Sequence, residues 1–356
     1  MQWMDLTRRN IGKWIGQFGL DPQETPYQII ADLPGARIRK YHSRVSDAGL
    51  NLLIIPAPFK RPYIWDLIPR VSVVQQLLSI GLKLYLLEWT IPTEREENYG
   101  LLEYVHYLPL EAMEVIEADS GRTEPRILAG HSLGGTFAAI FATLFPELVS
   151  ELILVDSPLV FGKHGGPIAK AAAAIPDLEM IRPLTSPSVS GSFINWLSLN
   201  ASPEVFQMQR VMDWVASCLD PLALEIHSKV GRWTYDELPL PWPLFKETVE
   251  QLFRQDRFLK GTLKIGKRQT GISHLHTATL AIVNPPGLIV PPDSTIQGLH
   301  VAHNASAEIL TYMSDNGPMF QHLGPLVSPI AHQQLWPKIL NWIKKRHPES
   351  YRNLYD

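Results

Sequence analysis

The sequence predicts an α/β protein: a mostly parallel sheet flanked by helices and interrupted by an inserted helical cap. Three observations carry this prediction. Strand text alternates with helix text through the first 145 residues, the pattern of parallel strands joined by right-handed crossovers. Residues 126–136 read RILAGHSLGGT, an apolar run that enters a Gly-x-Ser-x-Gly turn and leads into an Ala/Phe/Leu-rich helix. From about residue 157 to 258 strand text disappears, giving way to helical and Pro/Trp-rich text, and it resumes at residues 277–283.

The organisation that follows is an N-terminal helical segment (1–33), a core in two pieces (34–156 and 259–356) and a cap insertion (157–258). Residues 1–19 place Trp3, Met4, Leu6, Ile11, Trp14, Ile15 and Phe18 at mostly three- or four-residue spacing, an amphipathic helix whose aromatic stripe is expected to dock on the body. Residues 36–42 suit an early edge strand, and 51–56 (NLLIIP) a buried one. Helix is expected at 66–80, strand at 84–89, helix at 97–120, and a further strand at 152–155 that ends at Asp156. Residues 169–174 (AKAAAA) read as a small-residue helix. Strand candidates at 277–283 and 308–313 precede a closing amphipathic helix at 333–346.

Composition narrows the function classes. Apolar residues make up 45%, charged residues 19%, and the net charge is -3. Such a chain can bury a sizeable core, and it carries no basic field to recruit nucleic acid. The single cysteine, Cys218, allows neither an intrachain disulfide nor a cysteine metal site and has no nucleophile signature around it. No metal or cofactor is expected. No segment reaches 18 uncharged apolar residues and the N-terminus has no signal-peptide core, so the expectation is a cytoplasmic protein without a transmembrane segment.

The Gly130-His131-Ser132-Leu133-Gly134 turn needs its glycines because the serine sits at a strained apex between closely packed strand and helix. The Leu133 N–H then points toward a developing oxyanion at the positive end of the following helix. The second donor is expected from the Pro-rich loop at 57–62. Pro58 has no N–H, which leaves Phe59, with Ala57 and Lys60 as weaker candidates. A serine hydroxyl is a poor nucleophile near neutral pH, so a histidine must accept its proton. His322 is favoured, in a loop beside Gly324 after the last strand, over His332, His300 and His303. For the acid that orients the imidazole, Asp156 and the later Asp293 both remain open, as does the absence of any acid.

Several segments together resemble the polyhydroxyalkanoate synthases of the α/β-hydrolase superfamily. They are Arg61-Pro62-Tyr63-Ile64-Trp65-Asp66-Leu67, the strand ending Glu88-Trp89, residues 232–241 (RWTYDELPLP) with the basic, Gly-punctuated stretch 258–267 after it, Val290-Pro291-Pro292, and residues 322–328 (HLGPLVS). The resemblance runs from about residue 34 to 346, with a length similar to the short subunit type. It implies a covalent acyl-enzyme formed from hydroxyacyl coenzyme A thioesters or esters, and it places His322 on the family's histidine. It also implies a second synthase-type subunit or a homodimer as partner. Two departures stand out: Ser132 replaces the family's nucleophilic cysteine, and Gly287 stands where the family has its aspartate. The implied activity is serine-dependent acyl transfer or hydrolysis. The alternative is a catalytically weak homologue that binds a synthase, a polymer granule or an acyl carrier.

Overall fold

The structure is a computed structural model that describes residues 2–45, 47–121, 126–175, 177–185, 187–201, 214–215, 217–303, 306–313 and 318–352. Parts of the expected N-terminal helix (Met1), cap (residues 176, 186, 202–213 and 216) and C-terminal piece (residues 304–305, 314–317 and 353–356) lie outside the described residues.

The strands of the main sheet are β1 (Tyr27–Leu33), β2 (Ala36–Tyr41), β3 (Asn51–Ile55), β4 (Lys83–Trp89), β5 (Arg126–His131), β6 (Val149–Val155), β7 (Ala278–Val283) and β8 (Ala307–Thr311). They lie in the order β1-β2-β4-β3-β5-β6-β7-β8. β2 runs antiparallel to β1 and β4, and the remaining pairings are parallel. The central strands β3 and β5 are buried along their whole length, which is why they read as unbroken apolar runs rather than alternating ones. Alternate residues feed two cores, with Leu53 and Ile55 on one face and Leu52 and Ile54 on the other.

Principal helices are α1 (Gln2–Ile15), α2 (Val73–Leu78), α3 (Leu108–Ser120), α4 (Leu133–Leu144), α5 (Gly166–Ala174), α6 (Gly191–Ala201), α7 (Pro221–Trp233), α8 (Pro292–Ala302), α9 (Pro318–Val327) and α10 (Trp336–Arg346). Between β6 and β7 the described residues add no strand to the main sheet. That stretch carries α5, α6, α7 and two short pairings, Ser188–Val189 with Leu240–Pro241 and Leu263–Ile265 with Arg268–Thr270.

Four expectations need correction. The N-terminal segment is not helical to residue 33, because Tyr27–Leu33 forms the sheet's edge. Its polar text (YQIIADL) suits a half-exposed strand, and Pro34-Gly35, with Gly35 at φ 92°, turns it into β2. Residues 66–80 do not make one helix. Pro69 removes a backbone donor and holds Ile68 extended (φ -148°, ψ 159°), leaving a single 3-10 turn at Pro69–Val71, so α-helix begins only at Val73, where Ser72 caps it by accepting from the Gln75 N–H. His322 belongs to α9 rather than to a loop.

The fourth correction concerns α1, which docks with its apolar face outward. Leu6, Trp14 and Phe18 are 57%, 61% and 68% exposed. The inward face is polar and small. The buried Asp5 carboxylate accepts from the Gly191 and Ser192 N–H groups at 3.0 and 2.8 Å, satisfying free donors at the start of α6. Arg8 reaches Glu237 at 3.1 Å and the Thr234 carbonyl at 2.6 Å. At Gly12 an added Cβ would stand 3.3 Å from that of Tyr235, so a bare backbone lets the helix approach.

Candidate active site

β5 ends in a turn that holds Ser132 at φ 55°, ψ -133°. Such a conformation costs a residue bearing Cβ about 1–3 kcal/mol. The neighbouring glycines make it feasible: a Cβ on Gly130 would lie 2.5 Å from Gly135 Cα, and one on Gly134 would overlap the Ile55 carbonyl. α4 therefore starts almost in contact with β5, and all twelve of its residues are buried.

Parallel register brings the acid to the same place. His131 pairs with Val155, the Ser132 N–H donates to the Val155 carbonyl at 3.1 Å, and Asp156 follows directly. Asp156 is itself at φ 44°, and its N–H donates to the Ile282 carbonyl on β7 at 2.9 Å. Its carboxylate Oδ2 lies 2.6 Å from His322 Nδ1, with the side chains 2% and 13% exposed. An Nδ1–H donor there leaves Nε2 as the acceptor of the neutral imidazole. Ser132 and His322 line one cavity, although among the described residues no hydrogen bond joins Oγ to the imidazole.

Burial sets the charges. It holds the His322 imidazole well below its usual range, with the positive charge of Lys60 as the second cause, so the resting ring is neutral, as a base must be. Burial also pushes the Asp156 carboxyl up. His131, the middle residue of the motif, is buried and likewise held neutral by desolvation. Its Nε2–H donates to the His322 backbone carbonyl at 2.9 Å, and its ring lies on that of His322 at 4.4 Å between centroids. Sequence reading assigned His131 no role. Its place between Gly130 and Ser132 was the available signal.

For the oxyanion, Leu133 opens α4, so its N–H has no intrahelical acceptor. In the loop after β3 the Lys60 N–H is spent on the Ala57 carbonyl at 3.1 Å, and the Phe59 carbonyl receives the Leu238 N–H at 2.9 Å. Phe59 is thereby anchored and lines the cavity beside Ser132, together with Lys60 and Trp233. The cavity holds about 1020 Å³ including its open mouth.

The other candidates lie elsewhere. Asp293 sits in the first turn of α8, 66% exposed and 4.0 Å from His164; it does not meet His322. His332 is buried and donates to the Leu326 carbonyl at 2.8 Å, His300 is on α8, and His303 forms the left-handed cap of that helix. Cys218 is exposed. Gly287 is enclosed by its turn, since a Cβ there would stand 2.8 Å from both the Asn284 and Val290 carbonyls. Among the described residues no group of three or more His, Cys, Asp or Glu side chains could hold a metal, and no helix is long and apolar enough to cross a membrane.

The strand order, the sharp strand-to-helix turn at Ser132, and an acid and a histidine supplied later in the chain define an α/β-hydrolase fold. Solved structures of that fold agree. A thermophilic esterase from Thermogutta terrifontis superposes with a TM-score of 0.53 at 15% identity, covering 90% of this chain and 98% of its own. A proline iminopeptidase-related protein from Thermus thermophilus gives 0.52 at 15% identity, covering 89% and 98%. No family model matches the chain. In sequence, the chain is similar to curated poly(3-hydroxyalkanoate) polymerase subunits PhaC. The Haloferax mediterranei protein is 25% identical over 331 residues, 91% of this chain, and the Synechocystis protein is 25% identical over 341 residues, 93% of this chain. The chain spans 64% of the length of the first and 86% of the second.

Proposed function

We propose that the protein is a serine-dependent acyl-transfer enzyme, hydrolase or acyltransferase, acting on hydroxyacyl thioesters or esters through an acyl-enzyme. The observation that carries this reading is the 2.6 Å contact between His322 and the buried Asp156, with His322 lining the same cavity as the strained Ser132. Ser132 Oγ attacks the substrate carbonyl while His322 Nε2 takes its proton. The oxyanion accepts hydrogen bonds from the Leu133 and Phe59 N–H groups, and His322 returns the proton to the departing thiolate or alkoxide. Water or an alcohol then resolves the ester. Asp156 takes the orienting role that Gly287 cannot fill. Residues 157–258 act as the cap that excludes water from this chemistry.

The serine decides the outcome of the second half-reaction. A thioester intermediate exchanges readily with thioester substrates, whereas the oxyester on Ser132 is less activated and favours hydrolysis or one transfer over chain growth. The name of the PhaC relatives, subunits of a poly(3-hydroxyalkanoate) polymerase, suggests hydroxyacyl groups and a further subunit, and the resemblance in sequence implies coenzyme A thioesters as donors and a second synthase-type subunit or a second copy as partner. The test is incubation with 3-hydroxyacyl-CoA, following free thiol, free acid and polymer together. Thiol and acid released in step, and lost in Ser132→Ala, support the reading. Thiol release that survives in Ser132→Ala contradicts it.

A further inference from the structure

Ser132 opens onto two cavities of different chemistry. The first, described above, has largely apolar walls, Ile64, Trp65 and Leu323 among them, but also carries the charged and polar groups Lys60, Arg61, Thr234, Glu237 and His322. The second holds about 1040 Å³ including its opening. Its side chains are apolar except for Ser132 and Thr248, and its walls come from α5, α6 and the segment containing Val249 and Phe253. Ser132, Phe59, Ile168 and Ile289 border both, so the hydroxyl stands at the junction. Small residues on α5, Ala171 and Ala172, leave the second cavity open where larger side chains would fill it.

An acyl carbon attacked by Ser132 carries two substituents that must leave in different directions, the acyl chain and the leaving group. A charged or hydroxylated leaving group finds hydrogen-bonding partners only in the first cavity. The second offers almost none, so a charged end there would be stripped of water without compensation, while methylenes would gain by burial. We infer that the second cavity is the acyl chamber, that it selects uncharged aliphatic acyl groups of medium length, octanoyl rather than acetyl or butanoyl, and that Ala171 sets its capacity. The inference rests on Ser132 being the acylated residue.

The test reads binding without turnover. Calorimetric titration of Ser132→Ala protein with the alkanoates butanoate, hexanoate and octanoate should show affinity rising about fourfold per methylene, at least fiftyfold across the series. Adding Ala171→Leu should remove most of that gain without weakening butanoate. Leu197→Trp, from the α6 wall, should do the same should the first variant fail to fold. Equal affinity along the series, or a gain that survives both substitutions, overturns the chamber. Turnover of p-nitrophenyl esters by the unmodified protein is scored separately. Hydrolysis without chain-length dependence in the titration sinks the chamber alone, and chain-length dependence without any hydrolysis sinks the acyl-enzyme on which the chamber's role rests, leaving an apolar binding cavity.

Discussion

Helices α4 and α1 show opposite relations between pattern and burial. α4 is largely apolar and wholly buried, and Gly130 before it and Gly134 in its first turn let strand and helix approach too closely for a Cβ at either position. α1 has an amphipathic pattern, yet it buries Asp5 and Gly12 and exposes Leu6, Ile11 and Trp14. What distinguishes them is the supply of partners. Around α4 the surroundings are mostly apolar, with a few hydroxyls such as Ser157 and Thr270 at close range, whereas beneath α1 lie the N–H groups at the start of α6 and the carboxylate of Glu237, which only a polar face can satisfy. Periodicity locates a helix, and the surface it meets decides which face goes in.

The comparison can be broken most severely at Gly134. A methyl there has no space against the Ile55 carbonyl, so Gly134→Ala should lower stability by about 3 kcal/mol and abolish acyl transfer, as read by denaturant titration and ester turnover; a stable, active variant would remove the close-packing account of the elbow. The next effect is Asp156→Asn, which should reduce kcat by about 10²- to 10⁴-fold with little change in KM, whereas Asp293→Asn should leave kinetics unchanged. On the α1 side, Asp5→Ala uncaps α6 and should cost about 1 kcal/mol. Trp14→Ser, on the outward face, should change stability by less than about 0.5 kcal/mol. A larger loss from Trp14→Ser than from Asp5→Ala would mean that α1 is docked the other way round.

Acidity gives a further test. In the proposed mechanism His322 is a base that works only when neutral, and both burial and Lys60 lower its pKa, so the acid limb of kcat/KM should fall below the ordinary histidine value of about 6.5. Removing the nearby charge with Lys60→Gln should raise the His322 pKa and move that limb toward neutral pH. An unmoved limb would mean that Lys60 does not act on the histidine. Stability carries both signs: with folded values lowered at His131 and His322, the unfolded chain binds more protons below about pH 6.5 and stability is lost as pH falls through that window, while the raised value at Asp156 works against that loss.

Much of this site was legible in the sequence because it is local or fixed by chain order. The strand, turn and helix around Ser132 are contiguous, and Asp156 follows a strand whose parallel pairing with β5 makes it a spatial neighbour of the serine. Asp156 and Asp293 could not be separated without the packing of α9, which brings His322 to one and leaves the other in solvent. Nor could the edge strand β1 be seen, since a half-exposed polar strand carries little hydrophobic signal. The role of His131 depends on a contact 191 residues away in sequence, which no local pattern announces.

The central claim is that Ser132 is a nucleophile activated by His322 and oriented through Asp156. Labelling with a fluorophosphonate probe, followed by peptide mass mapping, tests it most directly. The account predicts one rapid modification, on Ser132, absent in Ser132→Ala and slowed by at least about 10²-fold in both His322→Gln and Asp156→Asn. No labelling of Ser132, or labelling at a rate indifferent to His322 and Asp156, would contradict it.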